Sequence, residues 1–276
     1  TWHAFYGQWT QDPALFYARD AGFVALTEEV RASEPDSVTY LSPQGWDHPT
    51  IRYGLLGSDP PLALHGFDGR ICVRVPSGAA RYLILVQEDF RGPDLLQMYL
   101  PDASVRTLVI DPSGQPWAID LRQPEEGQVV FPEMTPHPVE LGDGISLLGY
   151  WLSSSQLQAS ERLYVRLFWR VGTRPQEDYT TFLHLVTTGS DGTIQRLAGS
   201  DAPPGNGSCP TRDWLPGEVV VDELQLVLPA DLRADSSYAL AVGFYTWPEG
   251  QRLAVPGHAG DQILIGPLPV AVASMS

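Results

Sequence analysis

The chain has 276 residues, is 43% hydrophobic and 18% charged, and carries a net charge of −16 with a pI near 4.6. It is too apolar for a disordered chain, and no run of 18 apolar residues is present to cross a bilayer as a helix. Its acidity disfavours nucleic acid or an anionic lipid surface as partner, because both attract positive fields.

All 17 basic residues are Arg, and 26 glycines with 25 prolines predict many turns and short strands. In chain order, Phe23, Leu26 and Val30 recur at helical spacing and predict a helix over 19–32, with Asp20 near its start and Pro35 beyond its end. A strand over 37–41 follows. Next comes a short helix over 48–56, with Asp47 as its cap and Pro49 in its first turn. Strands are predicted over 70–75 and 81–86, the second apolar enough to be buried on both faces. A helix over 93–100 and strands over 105–110 and 117–121 complete the first half, with a turn at 111–114. Alternating helix and strand predict a small α/β domain with a mixed sheet over 1–124, ending in the linker 123–127.

The second half, 125–276, carries no helical pattern. Strands are predicted over 145–152, 162–170, 180–187, 193–197, 219–228, 237–245, 252–255 and 262–265. Leu163, Val165, Leu167 and Trp169 fall on one face, and Tyr238, Leu240, Val242 and Phe244 form a second one-sided set. The pattern predicts an all-β antiparallel sandwich of jelly-roll or immunoglobulin-like type. The long loop 199–215 favours a crossing connection over an up-and-down barrel. The overall class is α+β in two domains.

Candidate chemistry is sparse. The sequence has no G-x-S-x-G, H-E-x-x-H, phosphate-loop or dinucleotide motif. Asp47 and His48 invite a general-base reading, against which stands a plain helix cap. Glu88 and Asp89 follow a buried strand, where α/β folds place ligand groups. Asp222 and Glu223 lie within a strand, one directed to a polar contact and the other to solvent. Asp191, Asp201 and Asp213 are loop carboxylates of the kind that hold a structural calcium ion, without the dense spacing that makes such a site specific. No other cofactor is expected. Trp151, Trp214, Tyr245 and Trp247 are the candidate ligand-binding aromatics, since an exposed ring can stack on the apolar face of a sugar. Trp169, on an alternating apolar face, is expected in the core. Asn206 begins an N-glycosylation acceptor pattern. Cys72 reads as a buried apolar thiol, and a Cys72–Cys209 bridge is the alternative in an oxidising compartment.

The stretches 147–150, 163–169, 178–185 (Asp-Tyr-Thr-Thr-Phe-Leu-His-Leu), 214–218 (Trp-Leu-Pro-Gly-Glu), 222–223 (Asp-Glu) and 238–245 resemble the C-terminal extracytoplasmic region of multi-pass bacterial glycosyltransferases. These are similar to dolichyl-phosphate-mannose protein mannosyltransferases of Chloroflexi type. In the first half, 38–42, 47–53 and 67–70 resemble the segment after the last membrane helix of such proteins. The resemblance implies a piece cut from a longer membrane protein, consistent with a chain that begins at Thr1 without an initiator Met. It implies catalytic acids elsewhere, on loops absent from this sequence, so no catalytic residue is carried over. The implied partners are the membrane-embedded catalytic part of the same chain and a glycan or polypeptide acceptor. The implied location is the extracytoplasmic face of the membrane. A free-standing carbohydrate-binding module, a structural spacer and a stand-alone enzyme are the alternatives.

Overall fold

A computed structural model describes residues 13–31, 38–43, 48–56, 64–189, 191–257 and 260–271. The chain divides into two compact units, Thr1–Pro132 and Glu133–Ser276.

In the first unit, α1 (Pro13–Ala18) and α2 (Ala21–Arg31) replace the single helix predicted over 19–32. Asp20 sits between them at φ 52°, a left-handed backbone that breaks the helical run, and its carboxylate accepts a bond from the Thr50 hydroxyl at 2.5 Å. The sheet runs in the order β2 (Leu64–Gly66), β1 (Val38–Ser42), β4 (Ala80–Leu85), β6 (Pro116–Gln123) and β5 (Ser104–Ile110). The β2–β1 and β1–β4 pairs are parallel, and the β4–β6 and β6–β5 pairs are antiparallel. The sheet is therefore mixed. Every residue of β4 is buried. Leu83 and Leu85 join Phe23, Leu26 and Val30 of α2 in one cluster. On the other face Tyr82 stacks on Tyr40 at 5.0 Å and meets Phe67 edge-on. Gly22 lets α2 approach closely: a Cβ there would lie 2.7 Å from the Trp117 ring.

Around buried Asp120, three guanidiniums converge. Arg81 donates through Nε and Nη2 at 3.0 and 3.1 Å, and Arg106 and Arg122 each donate through Nε at 3.0 Å. Arg81 also donates to the Glu29 carbonyl in the last turns of α2, where the helix leaves carbonyls unpaired. Between α2 and β4 run α3 (Pro49–Gly54) and β3 (Cys72–Val75); α4 (Gly92–Tyr99) follows β4. After β6, Gly127 N–H donates to the Pro124 carbonyl, and Val130 N–H donates to the Tyr99 carbonyl. The stretch predicted as a linker is thus a hydrogen-bonded turn of the first unit.

The second unit holds two antiparallel sheets. In one, β12 (Val219–Val227), β9 (Arg162–Val171), β8 (Ile145–Leu152) and β7 (Thr135–Glu140) are neighbours in that order. The other has four strands: β11 (Ile194–Ala202), β10 (Tyr179–Thr188), β13 (Tyr238–Thr246) and β14 (Ile263–Leu268). The predicted inward sets of β9 and β13 are both buried and meet across the sandwich, where Trp169 lies 4.6 Å from Phe244. The connection from β11 to β12 passes from one sheet to the other through two short 3-10 turns, Pro204–Gly207 and Thr211–Asp213. The strand expected over 252–255 reduces to one bridge, Arg252 with Tyr245. β7 was not expected from the sequence, since it carries Pro136 and Pro138; it lies at a sheet edge, where proline is tolerated.

Neither cysteine is a free thiol. Cys72 and Cys209 are both buried and disulfide-bonded, which corrects the reading of Cys72 as a buried thiol.

Candidate functional site

The described polar candidates of the first unit, His48, Glu88 and Asp89, lie in different environments. Asp47 lies outside the described residues. The N-cap of α3 is His48 rather than Asp47, and its side chain makes no cap hydrogen bond. The imidazole stacks on Phe23 at 3.9 Å. Glu88 is exposed while its neighbour Asp89 is fully buried. Asp89 accepts bonds from the Ser42 hydroxyl and from the Gly92 N–H at 2.7 Å, and the Ser42 oxygen in turn accepts the Gly69 N–H at 3.0 Å. It thereby ties the end of β1 to the first turn of α4 and to the loop after β2. A Cβ at Gly69 would lie 2.1 Å from an Asp89 oxygen, and one at Gly92 would lie 2.3 Å away. The chain's own groups crowd this carboxylate, and its hydrogen bonds make it a structural staple between β1, the loop after β2 and α4.

In the second unit the candidate aromatics separate into three environments. Trp214 is wholly buried; its Nε1 donates to the Cys209 carbonyl at 3.0 Å and its ring meets Phe244 edge-on. A loop position in sequence is here a core position in space, which removes Trp214 as a ligand contact. Trp151 is half-buried, with the Arg166 guanidinium 4.4 Å above its ring. Ion pairs to Glu223 at 2.7 Å and Glu133 at 3.1 Å hold that guanidinium in place. One face of Trp151 is therefore occupied. Tyr245 and Trp247 remain on a surface, Tyr245 half-buried and Trp247 74% exposed.

Tyr245 belongs to the outer face of the four-stranded sheet, whereas Trp247 lies in the turn just beyond β13. Opposite Phe244, Val242 and Leu240, the core-facing residues of β10 are Thr181, Leu183 and Leu185. Period two then places Thr180, Phe182 and His184 on the outer side, next to Asp201 and Gly199 of β11 and Ala241, Gly243 and Tyr245 of β13. His184 Nε2 lies 2.7 Å from Asp201 Oδ1; a carboxylate only accepts, so the ring nitrogen carries the proton and donates. Burial lowers the His184 pKa below its ordinary value, against the opposing pull of Asp201. Burial first, then the Asp201 charge, raises the Tyr245 hydroxyl above its own. Arg196 approaches Asp201 at 3.9 Å. Arg252 covers Phe182 at 4.3 Å and pairs with Asp261 at 3.0 Å. The sequence offered one signal for this cluster, the alternation of β10, and it was not extended to His184.

Of the pair, Asp222 makes an inward polar contact to Thr181, and Glu223 pairs with Arg166. The calcium candidates hold separate partners. Asp191 accepts the Thr193 N–H, Asp201 accepts from His184, and Asp213 lies 4.0 Å from Arg174. Among the described residues no group of three or more His, Cys, Asp or Glu side chains could hold a metal ion. No described helix is long and apolar enough to cross a membrane. Asn206 is exposed in the Pro204–Gly207 turn.

No protein-family model matches the chain, and no curated protein matches it. Among solved structures, the C-terminal domain of wzt is similar at 16% identity and a TM-score of 0.34, covering 51% of this chain and 82% of that one. Spo0M, a sporulation control protein from Bacillus subtilis, is similar at 16% identity and a TM-score of 0.28, covering 45% of this chain and 48% of its own. Likeness at this level carries no functional argument.

Proposed function

We infer that the chain is a non-catalytic, extracytoplasmic portion of a membrane glycosyltransferase and helps to position a glycan or polypeptide acceptor near the membrane-embedded catalytic part. The observation that carries this reading is the outer face of the four-stranded sheet. There Tyr245 is half-buried, and Trp247, in the turn just beyond β13, is exposed. Large apolar rings left in water beside fixed polar groups are typical of a surface that meets a ligand. Two disulfide-bonded cysteines suit an oxidising compartment outside the cytoplasm. The sequence resemblance supplies the enzyme context. Two measurements test the reading. The reading frame upstream of Thr1 is expected to encode hydrophobic helices, and a start codon directly upstream defeats the membrane context. Immobilised protein is expected to retain oligosaccharides, and retention of none defeats the positioning of a glycan. A free-standing carbohydrate-binding module is the second reading, favoured by the same face and separated from the first by the upstream frame.

A further inference from the structure

Three strands of the second unit end a sheet: β7, β14 and β11. An outer strand leaves a row of N–H and C=O groups open to another chain, and natural sheets guard such rows. β7 carries Pro136 and Pro138, and β14 carries Pro267, none of which can donate to a further strand. β11 has nine residues with no proline, and none of the nine is buried. Among the described residues no strand pairs with its outer side. Ile194 and Leu197 stand 41% and 37% exposed on it.

The charges on β11 are self-complementary. Arg196 and Asp201 are its only charged residues, so the strand is neutral on a chain of net charge −16. Five positions apart, they would face opposite sides of a regular strand. The register with β10 passes from Val186–Arg196 to Leu185–Ala198, so Leu197 is bulged and both charges face the outer side, opposite Val186 and Phe182. With the bulge taken as one position, Arg196 and Asp201 lie two positions to either side of Gly199.

We propose that β11 pairs antiparallel with β11 of a second copy of this chain about a two-fold axis at Gly199, Arg196 of each copy facing Asp201 of the partner subunit. Backbone hydrogen bonds join the two four-stranded sheets edge to edge. Asp201 needs no new hydrogen bond for this: His184 and Tyr245 hold its carboxylate, and its role is Coulombic. The Arg196 side chain is 52% exposed and lies 3.9 Å from Asp201 of its own chain, beyond hydrogen-bond reach, so its donors can turn outward. Parallel pairing in register sets Arg196 on Arg196 and Asp201 on Asp201, which like-charge repulsion disfavours. The antiparallel contact is isologous and closes at two copies. The pairing stands apart from the glycan-positioning reading and survives its failure.

Sedimentation velocity of the whole chain over a concentration series tests this. A monomer–dimer equilibrium is expected, with Arg196→Asp and Asp201→Arg each weakening it by about tenfold or more. An equimolar mixture of the two variants is expected to recover the dimer, because each meets the opposite charge on the other chain and never on its own kind. Recovery therefore reports pairing between chains and not a local effect of either substitution. Hydrogen exchange of the unaltered chain, which needs no variant, is expected to slow at the backbone of 195–202 as concentration rises. A chain that stays monomeric up to about 1 mM overturns the proposal. So does a dimer that neither variant weakens, a mixture that does not recover it, or exchange over 195–202 that ignores concentration.

Discussion

The Thr181 hydroxyl donates to Asp222 across the interior of the sandwich at 2.9 Å, joining a strand of one sheet to a strand of the other. The second carboxylate oxygen accepts the Gly205 N–H at 2.9 Å, so the same acid also pins the crossing connection. These bonds favour the charged form, but burial outweighs them and raises the Asp222 pKa from 3.8 to about 6.

The folded state therefore binds the Asp222 proton more tightly than the unfolded chain does. The stability this supplies is complete below about 3.8 and is lost as pH rises through about 6. Asp222→Asn keeps both hydrogen bonds, since its amide oxygen accepts from Gly205 and its nitrogen donates to Thr181. Relative to the unaltered chain, the variant is expected to gain about 2–3 kcal/mol between pH 4 and pH 8. Urea unfolding at the two pH values measures this, and an equal difference at both contradicts it.

Trp214→Ala empties a wholly buried site and strands the Cys209 carbonyl. A loss of about 3–5 kcal/mol is expected. Trp247→Ala, at an exposed ring, is expected to change stability by less than about 0.5 kcal/mol. Comparable losses from the two, read from denaturant midpoints, contradict the assignment of one tryptophan to the core and the other to the surface.

Gly69→Ala places a methyl against the Asp89 carboxylate and the Gly92 Cα, which lies 2.8 Å from the added carbon. The backbone contact cannot swing aside, so a loss of about 1–3 kcal/mol is expected. Gly192→Ala is the control for added volume, because nothing lies within 4 Å of its Cβ position; any loss there comes only from its φ of 80°. Thermal unfolding of the two variants separates crowding from backbone strain.

Burial lowers the His184 pKa, so the unfolded chain binds that proton more readily. The contribution of this group is present above 6.5 and declines as pH falls below that value. His184→Gln, which retains a donor toward Asp201, is expected to lose less stability than the unaltered chain as pH falls from 7 to 5. A parallel decline in both denaturation curves contradicts it.

Much of the fold is legible because burial in a sandwich is written as alternation. Leu163, Val165, Leu167 and Trp169 announce both a strand and its inward face. β7 was hidden because Pro136 and Pro138 mimic a loop, and only an edge position reconciles them with pairing. The break at Asp20 was hidden because the apolar spacing continues into α2 while the φ of one residue interrupts it. The environments of the candidate residues were less legible still. Trp214 is buried by the path of a crossing connection, and Asp89 is enclosed by glycines 20 residues before it and 3 after it. His184 meets Asp201 only because β10 and β11 pair in one register, which a bulge at Leu185/Val186 shifts further along. Such pairings belong to tertiary structure, and no local pattern encodes them.

The arginine cluster around Asp120 has a consequence for tolerance to extremes. Guanidinium groups keep their charge throughout the alkaline range, so no partner of that carboxylate is neutralised there. Asp120 is itself buried, yet Arg81 and Arg122 hold its pKa below the ordinary value. Only acid stronger than an ordinary carboxylate needs will release it. Asp222 leans the other way and is most at ease protonated. Raising the pH through about 6 therefore costs the second unit stability at Asp222 while leaving Asp120 untouched, and strong acid unlocks Asp120 while leaving Asp222 in its preferred state. One polypeptide thus carries two buried acids whose hold on the proton is shifted in opposite directions.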